Sequence, residues 1–178
     1  EAMAAMAEGA DTGEQKGRNV SQVINLAVIQ MKDGQFQTAL DTLGSMGTAS
    51  EFGAMFTYRI MACYVASEPD NPTLGFQYED IIRFMEANWE DNPGALQDAY
   101  LCGDLEEKGA DLMIRRLARK EMAYNVLLGF QTFDDGVSTD RNLPFADLLS
   151  ERRKKLRARP DVLEAAEAVG RIRTFDLR

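Results

Sequence analysis

The chain has 178 residues, of which 45% are hydrophobic and 28% charged, and its formal net charge is −9 at pH 7. This length and composition are typical of one folded domain with a sizeable core. The chain contains no histidine and only two cysteines, which excludes Ser-His-Asp and Cys-His catalytic systems, histidine-ligated metals and all-cysteine zinc sites. From the sequence we therefore predict no metal, no cofactor and no enzymatic activity.

Residues 1–19 are rich in Ala, Gly and charged residues. Gly9, Gly13 and Gly17 disfavour a long helix, and we expect a flexible arm. The chain begins with Glu rather than Met, and its first residues lack the basic start and apolar centre of a secretory signal. No apolar run approaches the roughly 20 residues of a transmembrane helix. We therefore expect a soluble, non-secreted protein of the cytoplasm or, after removal of a targeting peptide, of the interior of a plastid or mitochondrion.

Segment 23–43, VINLAVIQMKDGQFQTALDTL, predicts two helices joined by a turn. Its apolar residues recur at helical spacing: Val23, Leu26, Ala27, Met31, Phe36, Ala39, Leu40 and Leu43. Ser21 is placed to cap the first helix. Gly34 is placed to end it, because glycine reaches left-handed dihedral angles without a Cβ clash.

This pair resembles a tetratricopeptide repeat, whose pattern combines large and small apolar residues, a Gly turn and a second helix with an aromatic residue. The matching positions are Val23, Leu26, Ala27, Gly34, Phe36, Ala39 and Leu43. Gln30 stands where an aromatic residue is usual, and no Pro closes the unit. The resemblance implies a stack of antiparallel helical hairpins that binds other proteins; a generic antiparallel helix pair is the alternative.

Further helices are predicted at 49–67, 76–90, 95–107 and 110–128, the last two readable as one continuous helix. The helix at 49–67 is apolar on most sides, which is typical of a helix that is central to the core or faces a partner. Asn92 or Asp91 is placed to cap the helix that follows. A basic band on the last helix predicts a solvated face paired with nearby Glu residues: Arg115, Arg116, Arg119 and Lys120.

Cys63 and Cys102 both lie in apolar helical segments, which favours buried free thiols, with a disulfide as the alternative. If the domain instead binds a small molecule or cofactor, Cys102, Tyr100, Tyr124 and the basic band are the residues to inspect.

The polar loop at 130–144 contains Asp134, Asp135 and Asp140, but their spacing does not meet the EF-hand pattern and predicts a plain turn. No segment shows a convincing strand pattern. The end of the chain, 174–178, has no predicted structure and could serve as a docking tail.

Acidic residues outnumber basic ones over 1–150, whereas basic residues prevail over 151–178. The sharpest charge feature lies in the predicted helix at 145–157 and its exit: Arg152, Arg153, Lys154, Lys155, Arg157 and Arg159. This basic run could dock on an acidic partner or on the acidic body of this chain, form a solvated face, or bind phosphates of RNA or of lipid head groups. The acidic body and the lack of interleaved aromatics disfavour nucleic acid and restrict any membrane contact to a peripheral one.

The stretch at 158–169, ARPDVLEAAEAV, is similar to the closing helices of the glutathione transferase helical domain. That resemblance implies a related helical fold at the end of the chain only. The thioredoxin-like half that binds glutathione has no counterpart, so transferase activity does not follow.

Together these features predict an all-α fold of stacked antiparallel hairpins, arranged as a short tetratricopeptide-like array. Its segments are a flexible arm (1–19), a helical repeat-like core (20–129), a polar loop (130–144), and a basic helix with a C-terminal tail (145–178). The predicted function is a non-catalytic adaptor or peripheral subunit of a larger assembly, such as a photosynthetic or respiratory membrane complex, whose partners are other protein subunits. The basic run, Phe52 and Phe56 are the predicted docking residues.

Two alternatives stay open at this stage. The first is a helical domain that binds a small molecule or cofactor, with closing helices like those of glutathione transferases. The second is binding of anionic lipid or RNA through the basic helix.

Overall fold

The computed structural model describes residues 5, 19–45, 50–71, 74, 77–134 and 143–176. The regular elements of this part are nine helices and two short strands: α1 (Val20–Lys32), α2 (Phe36–Gly44), α3 (Ser50–Ser67), α4 (Tyr78–Ala87), α5 (Pro93–Cys102), α6 (Glu106–Leu117), α7 (Lys120–Leu128), β1 (Thr132–Asp134), α8 (Pro144–Arg157), α9 (Pro160–Val169) and β2 (Thr174–Asp176). The predicted all-α fold is thereby confirmed. No helix of the described residues is both long and apolar enough to cross a bilayer.

The hairpin of α1 and α2 forms where its apolar spacing predicts it. Gly34 makes the turn at φ +81°, a left-handed conformation that L-residues with a Cβ rarely adopt. The prediction of Ser21 as N-cap is wrong, because the helix begins at Val20 and the side chain of Asn19 accepts the hydrogen bond from the Gln22 amide instead. Ser21 therefore lies within the first helical turn.

Helices α3 and α5 lie side by side and run in the same direction. Cys63 of α3 forms a disulfide with Cys102 of α5, with a Cα–Cα distance of 4.9 Å. The expectation of free thiols is wrong. Cys63 and Cys102 are 39 residues apart in the sequence, but the packing of the two helices brings them to the same level of the interface.

The region from 93 to 128 forms three helices, where at most two were predicted. Asn92 caps α5 through a bond from the Ala95 amide, as predicted, and Pro93 occupies the first turn. Helix α5 ends at Cys102, and Asp104, two residues further on, adopts φ +56°. The Tyr78 hydroxyl donates to the carbonyl of Ala99 beside this break, and its ring leaves no space for a Cβ at Gly103. A second break at Ala118 and Arg119 separates α6 from α7.

The C-terminal helices pack into the same core as the N-terminal hairpin. The shared buried cluster draws on α1, α2, α3, α5, α6, α7, α8 and α9, and includes Ala27, Met31, Phe36, Leu43, Ile60, Leu101, Met113, Leu149, Leu156 and Val162. A second cluster fills the space between α3, α4, α5 and α6. Helix α8 is thus held against the body of the protein and is not a detached basic arm.

The described residues include two short strands, contrary to the expectation that no strand would form and that residues 174–178 lack structure; the second strand covers 174–176. Strands β1 and β2 pair in parallel, with Thr132 opposite Thr174. Both segments read Thr-Phe-Asp, too short to carry an alternating pattern. The predicted arm lies almost wholly outside the described residues, as do Asp135 and Asp140.

Truncation of one leucine of α8 tests this packing. Leu149 is 1% exposed in the shared cluster, whereas its neighbour Leu148 is 36% exposed. We expect Leu149→Ala to lower the free energy of unfolding by about 2–5 kcal/mol, because it removes buried methyl groups and leaves a cavity. Leu148→Ala, the matched control, should cost under about 1 kcal/mol. Urea denaturation measures both, and equal costs would contradict the packing of α8.

Candidate anion-binding site

Part of the basic run docks onto the acidic body of the chain itself. Arg152 donates to the carbonyl oxygens of Leu101 and Cys102, at the C-terminal end of α5, where the helix dipole favours a cation. Lys155 pairs with Glu106 on α6. Lys154 is exposed to solvent.

Arg159 is the centre of a carboxylate network at the junction of α8, α9 and α6. Its guanidinium pairs with Glu107 at 2.7 Å, with Asp161 at 2.9 Å and with Glu106 at 3.3 Å. The hydrogen bonds that Arg159 donates to Asp161 and Glu107 raise the pKa of Arg159 above its usual value. In return, hydrogen bonds from Lys155 and Arg159 lower the pKa of the three carboxyl groups. These contacts tie α8 and α9 to α6.

The remaining arginines of the run face inward and line a cavity of about 310 Å³. Arg153 and Arg157 of α8 meet Arg59 of α3 and Arg116 of α6 there, beside Asp98 of α5. These four arginines and Asp98 define what we call the arginine cleft. Among the described residues that line it, Asp98 is the single carboxylate, so the ionised side chains sum to three positive charges.

Asp98 serves two of the four arginines. Its carboxylate accepts a hydrogen bond from Arg153 at 2.7 Å and another from Arg59 at 3.4 Å. The Asp98 side chain is 14% exposed, so this contact is largely shielded from water. Arg116 and Arg157 have no carboxylate within ion-pair distance in the described part of the chain.

The arginine cleft contains more hydrogen-bond donors than acceptors. Arg59 is 8% exposed, and its Nε and Nη2 atoms have no protein acceptor. The Nε atoms of Arg116 and Arg157 are likewise buried without an acceptor. Buried donors without partners cost free energy, since the hydrogen bonds they made to water in the unfolded chain are not replaced. Ordered water or a bound ion is the usual partner of such buried donors.

Burial in the arginine cleft makes the positive charges less stable than they are in water. Burial lowers the pKa of Arg59, against the attraction of Asp98, and lowers the pKa of Arg116. The pKa of Arg157 is lowered by burial and further by repulsion from Arg153. Arg59 lies over the ring of Phe56 and Arg157 over that of Phe130, at 5.2 and 5.7 Å, contacts that offset part of this cost.

The other walls of the arginine cleft combine amide groups with apolar side chains: Asn92, Gln97, Asn125, Phe56, Met113 and Val126. Gln97 donates from Nε2 to the carbonyl of Gly109, while its Oε1 atom is buried without a donor. The cleft therefore offers many donors, one orphan acceptor and an apolar wall, an arrangement suited to hold a small oxyanion with an organic part.

A second polar cluster involves Tyr100, a residue predicted for a small-molecule site. The Tyr100 hydroxyl and Lys108 both donate to Glu86 at 2.8 Å. Burial and the bond to Glu86 raise the pKa of Tyr100; these bonds from Lys108 and Tyr100 lower that of Glu86 despite its burial. Both pKa values are thus moved away from neutral pH. A group that transfers protons at neutral pH would need a pKa close to it.

The remaining sequence-predicted residues are dispersed. Tyr124 on α7 is 71% exposed and does not line the arginine cleft, and Cys102 is part of the disulfide. In the basic band, Arg119 pairs with Glu90 as expected and, like Arg115, lies over Trp89.

Phe56, one of the predicted docking residues, lines the arginine cleft, while the side chain of Phe52 lies outside the described residues. No group of three or more Cys, Asp or Glu able to hold a metal occurs in the described ranges.

Sequence reasoning missed Arg59, Asp98 and Arg116 as site residues. Arg116 was assigned to a solvated face, which is wrong, because the residue lines the arginine cleft and its Nε atom is buried. A signal for Arg59 was present, since it is the one charged residue between Phe52 and Ser67 in an otherwise apolar helix. A lone charge in such a helix has to be paired or functional.

The chain matches no protein family, no curated protein and no solved structure. The resemblances to tetratricopeptide repeats and to glutathione transferases therefore stay predictions.

Removal of the Asp98 charge tests the electrostatic arrangement. We expect Asp98→Asn to lower the free energy of unfolding by roughly 3–5 kcal/mol, because it leaves the buried Arg59 without a carboxylate. Asp80→Asn, which breaks an exposed pair with Arg83, is the matched control and should cost under about 1 kcal/mol. Urea denaturation at low ionic strength measures both. A cost for Asp98→Asn no larger than the control would contradict a buried charge cluster.

The network around Arg159 predicts a loss of stability in acid. The folded-state pKa values of Glu106, Glu107 and Asp161 lie below their usual values near 4. Their stabilisation is therefore complete above about pH 4–5 and is lost as the pH falls through the lowered values. Urea midpoints measured from pH 6 to pH 2.5 should fall less steeply for Arg159→Gln than for the wild type. Lys154→Gln, a neighbouring exposed control, should keep the wild-type slope; equal slopes in all three would contradict the network.

Proposed function

We propose that this protein is a binding module whose arginine cleft recognises a small phosphorylated ligand. The single observation that carries the proposal is that four arginines from three helices line one cleft with a single carboxylate, and that one of them, Arg59, is 8% exposed and has Nε and Nη2 atoms without an acceptor. The proposal develops the small-molecule alternative raised by the sequence.

Charge balance favours a dianion as the ligand. The ionised side chains of the arginine cleft leave three positive charges after Asp98 is counted, within a chain whose overall charge is −9. A carboxylate would neutralise one of these charges. A phosphate monoester, which carries about 1.5 to 2 negative charges at pH 7, compensates the cluster more fully.

Donor geometry favours the same ligand. The orphan Nε atoms belong to Arg59, Arg116 and Arg157, which approach the arginine cleft from three different helices. A planar carboxylate accepts bonds at two oxygens, in or near one plane. A phosphate group presents three oxygens in a tetrahedral arrangement and can accept from guanidinium groups on several sides.

The size and lining of the arginine cleft suit a small phosphorylated molecule. Its volume of about 310 Å³ is at the lower end of the range of ligand pockets, roughly 300–1,000 Å³. Phe56, Met113 and Val126 give the organic part an apolar wall, and the orphan Oε1 of Gln97 favours a ligand hydroxyl or amine.

The other functions derived from the sequence stay predictions. For RNA or an anionic lipid surface, the basic run offers little free charge, since Arg152, Lys155 and Arg159 are engaged within the chain. The role as an adaptor or peripheral subunit is compatible with a ligand-binding module, but no contact described above favours one protein partner over another.

Isothermal titration with methyl phosphate tests the proposal. We expect the wild type to bind methyl phosphate at low ionic strength. Arg116→Gln and Arg157→Gln should each weaken binding about 10- to 100-fold, because each removes a charge-assisted hydrogen bond worth about 1.5–3 kcal/mol. Arg83→Gln is the matched control: it removes the same charge from an exposed pair on α4 and should leave the affinity within about twofold.

Two comparisons separate the ligand class from the site. Acetate should bind at least tenfold more weakly than methyl phosphate, and methyl phosphate should bind more tightly as its second ionisation is completed above pH 6. Equal affinity for acetate would contradict the phosphate assignment. Failure of the wild type to bind any of these anions, or an equal effect of Arg83→Gln, would contradict the site.

A further inference from the structure

The disulfide and the ion pair between α3 and α5 lie one helical turn apart. Cys63 follows Arg59 by four residues on α3, and Cys102 follows Asp98 by four residues on α5. Residues four apart share one face of a helix. The Cys63–Cys102 bond and the Arg59–Asp98 contact therefore join the same two faces, each linking residues 39 apart in the chain.

We propose that the redox state of the Cys63–Cys102 disulfide controls the affinity of the arginine cleft for its ligand. This inference rests on the proposed function of that cleft. With the disulfide formed, α3 cannot slide along or rotate against α5, and the buried Arg59 is held beside Asp98 in the wall of the cleft. Reduction removes this covalent constraint one turn away from Arg59, so that ligand binding has to order the helix pair at a cost in affinity.

The reduced protein retains a packed interface between these helices. Met55 and Ala62 of α3 share a buried cluster with Leu96 and Ala99 of α5. Reduction therefore loosens the register of Arg59 and leaves the fold in place. This distinguishes a change at the arginine cleft from a general loss of structure.

One of the two cysteines lies at the wall of a second cavity, from which a reductant would approach the disulfide. Cys102, 6% exposed, contributes to the lining of a second cavity, together with Gln77, Tyr78, Gly103 and Arg152, whereas Cys63 is fully buried. A thiolate of an external dithiol attacks the Cys102 sulfur, forming a mixed disulfide and releasing the Cys63 sulfur. The second thiol of the reductant then displaces Cys102. Two electrons and two protons pass to the cysteines, which become thiols, and the dithiol becomes a disulfide.

Thermodynamic linkage provides a second signature. If the oxidised protein binds the ligand more tightly by some factor, the bound ligand must favour the disulfide over the dithiol by the same factor. The ligand-saturated protein should therefore be harder to reduce. A tenfold difference in affinity corresponds to a reduction potential about 30 mV more negative.

Titration of methyl phosphate into oxidised and reduced protein tests the inference. Dithiothreitol is a suitable reductant because it carries no charge that competes for the arginine cleft. We expect the reduced wild type, and Cys63→Ser/Cys102→Ser without reductant, to bind at least fivefold more weakly than the oxidised wild type. Reoxidation of the wild type should restore its affinity. Circular dichroism on the same samples should show an unchanged helix content.

The outcomes separate this inference from the function on which it rests. Equal affinity of the oxidised and reduced wild type would overturn redox control and leave the arginine cleft as a ligand site. Loss of helix content on reduction would overturn it too, because the inference requires a folded reduced chain. Absence of binding by the oxidised protein would overturn both proposals. The redox equilibrium, followed by thiol labelling with and without methyl phosphate, should shift toward the disulfide; no shift at saturation would contradict the linkage.

Discussion

The ion pairs of Asp98 are the constraint on which the arrangement of the central helices depends. This one carboxylate lies between Arg59 of α3 and Arg153 of α8, and so connects three helices. Buried cations are costly unless they are paired, and one carboxylate can offset only one of the four positive charges around it. The remaining charge and the unpaired donors are a cost that the protein carries without a ligand. A ligand that bound the folded protein here would stabilise it.

The parallel packing of α3 against α5 determines where this charged cluster lies. It aligns Arg59 with Asp98 and, one turn further, Cys63 with Cys102, so packing, electrostatics and covalent chemistry act on one interface. The basic run of α8 lies beside the same region, and its residues point in different directions. Its inward residues, Arg153 and Arg157, complete the arginine cleft, while Arg159 ties the helix end to α6. A feature that looks like one charged surface in the sequence thus has two separate structural roles.

Local patterns predicted the helices well and the site poorly. The apolar spacing around Val23 and Phe36, the turn at Gly34 and the cap at Asn92 depend on residues within a few positions, and the structure has them where expected. The arginine cleft depends on residues as far apart as Arg59 and Arg157, which only the packing of α3 against α5 and α8 brings together. For the same reason, the disulfide was only the less favoured alternative at the level of the sequence. Strand β1 escaped prediction because its partner lies about forty residues further along the chain.

The most direct measurement of the central claim is an anomalous diffraction map of crystals soaked in tungstate, a heavy tetrahedral dianion that mimics phosphate. We expect a tungsten peak within the arginine cleft, with oxyanion atoms at hydrogen-bond distance from Arg59, Arg116 and Arg157. Crystals of Arg116→Gln should lose this peak and keep any peaks at surface sites. Tungstate bound only elsewhere on the protein, with the arginine cleft empty at full soak concentration, would contradict an anion site in the cleft.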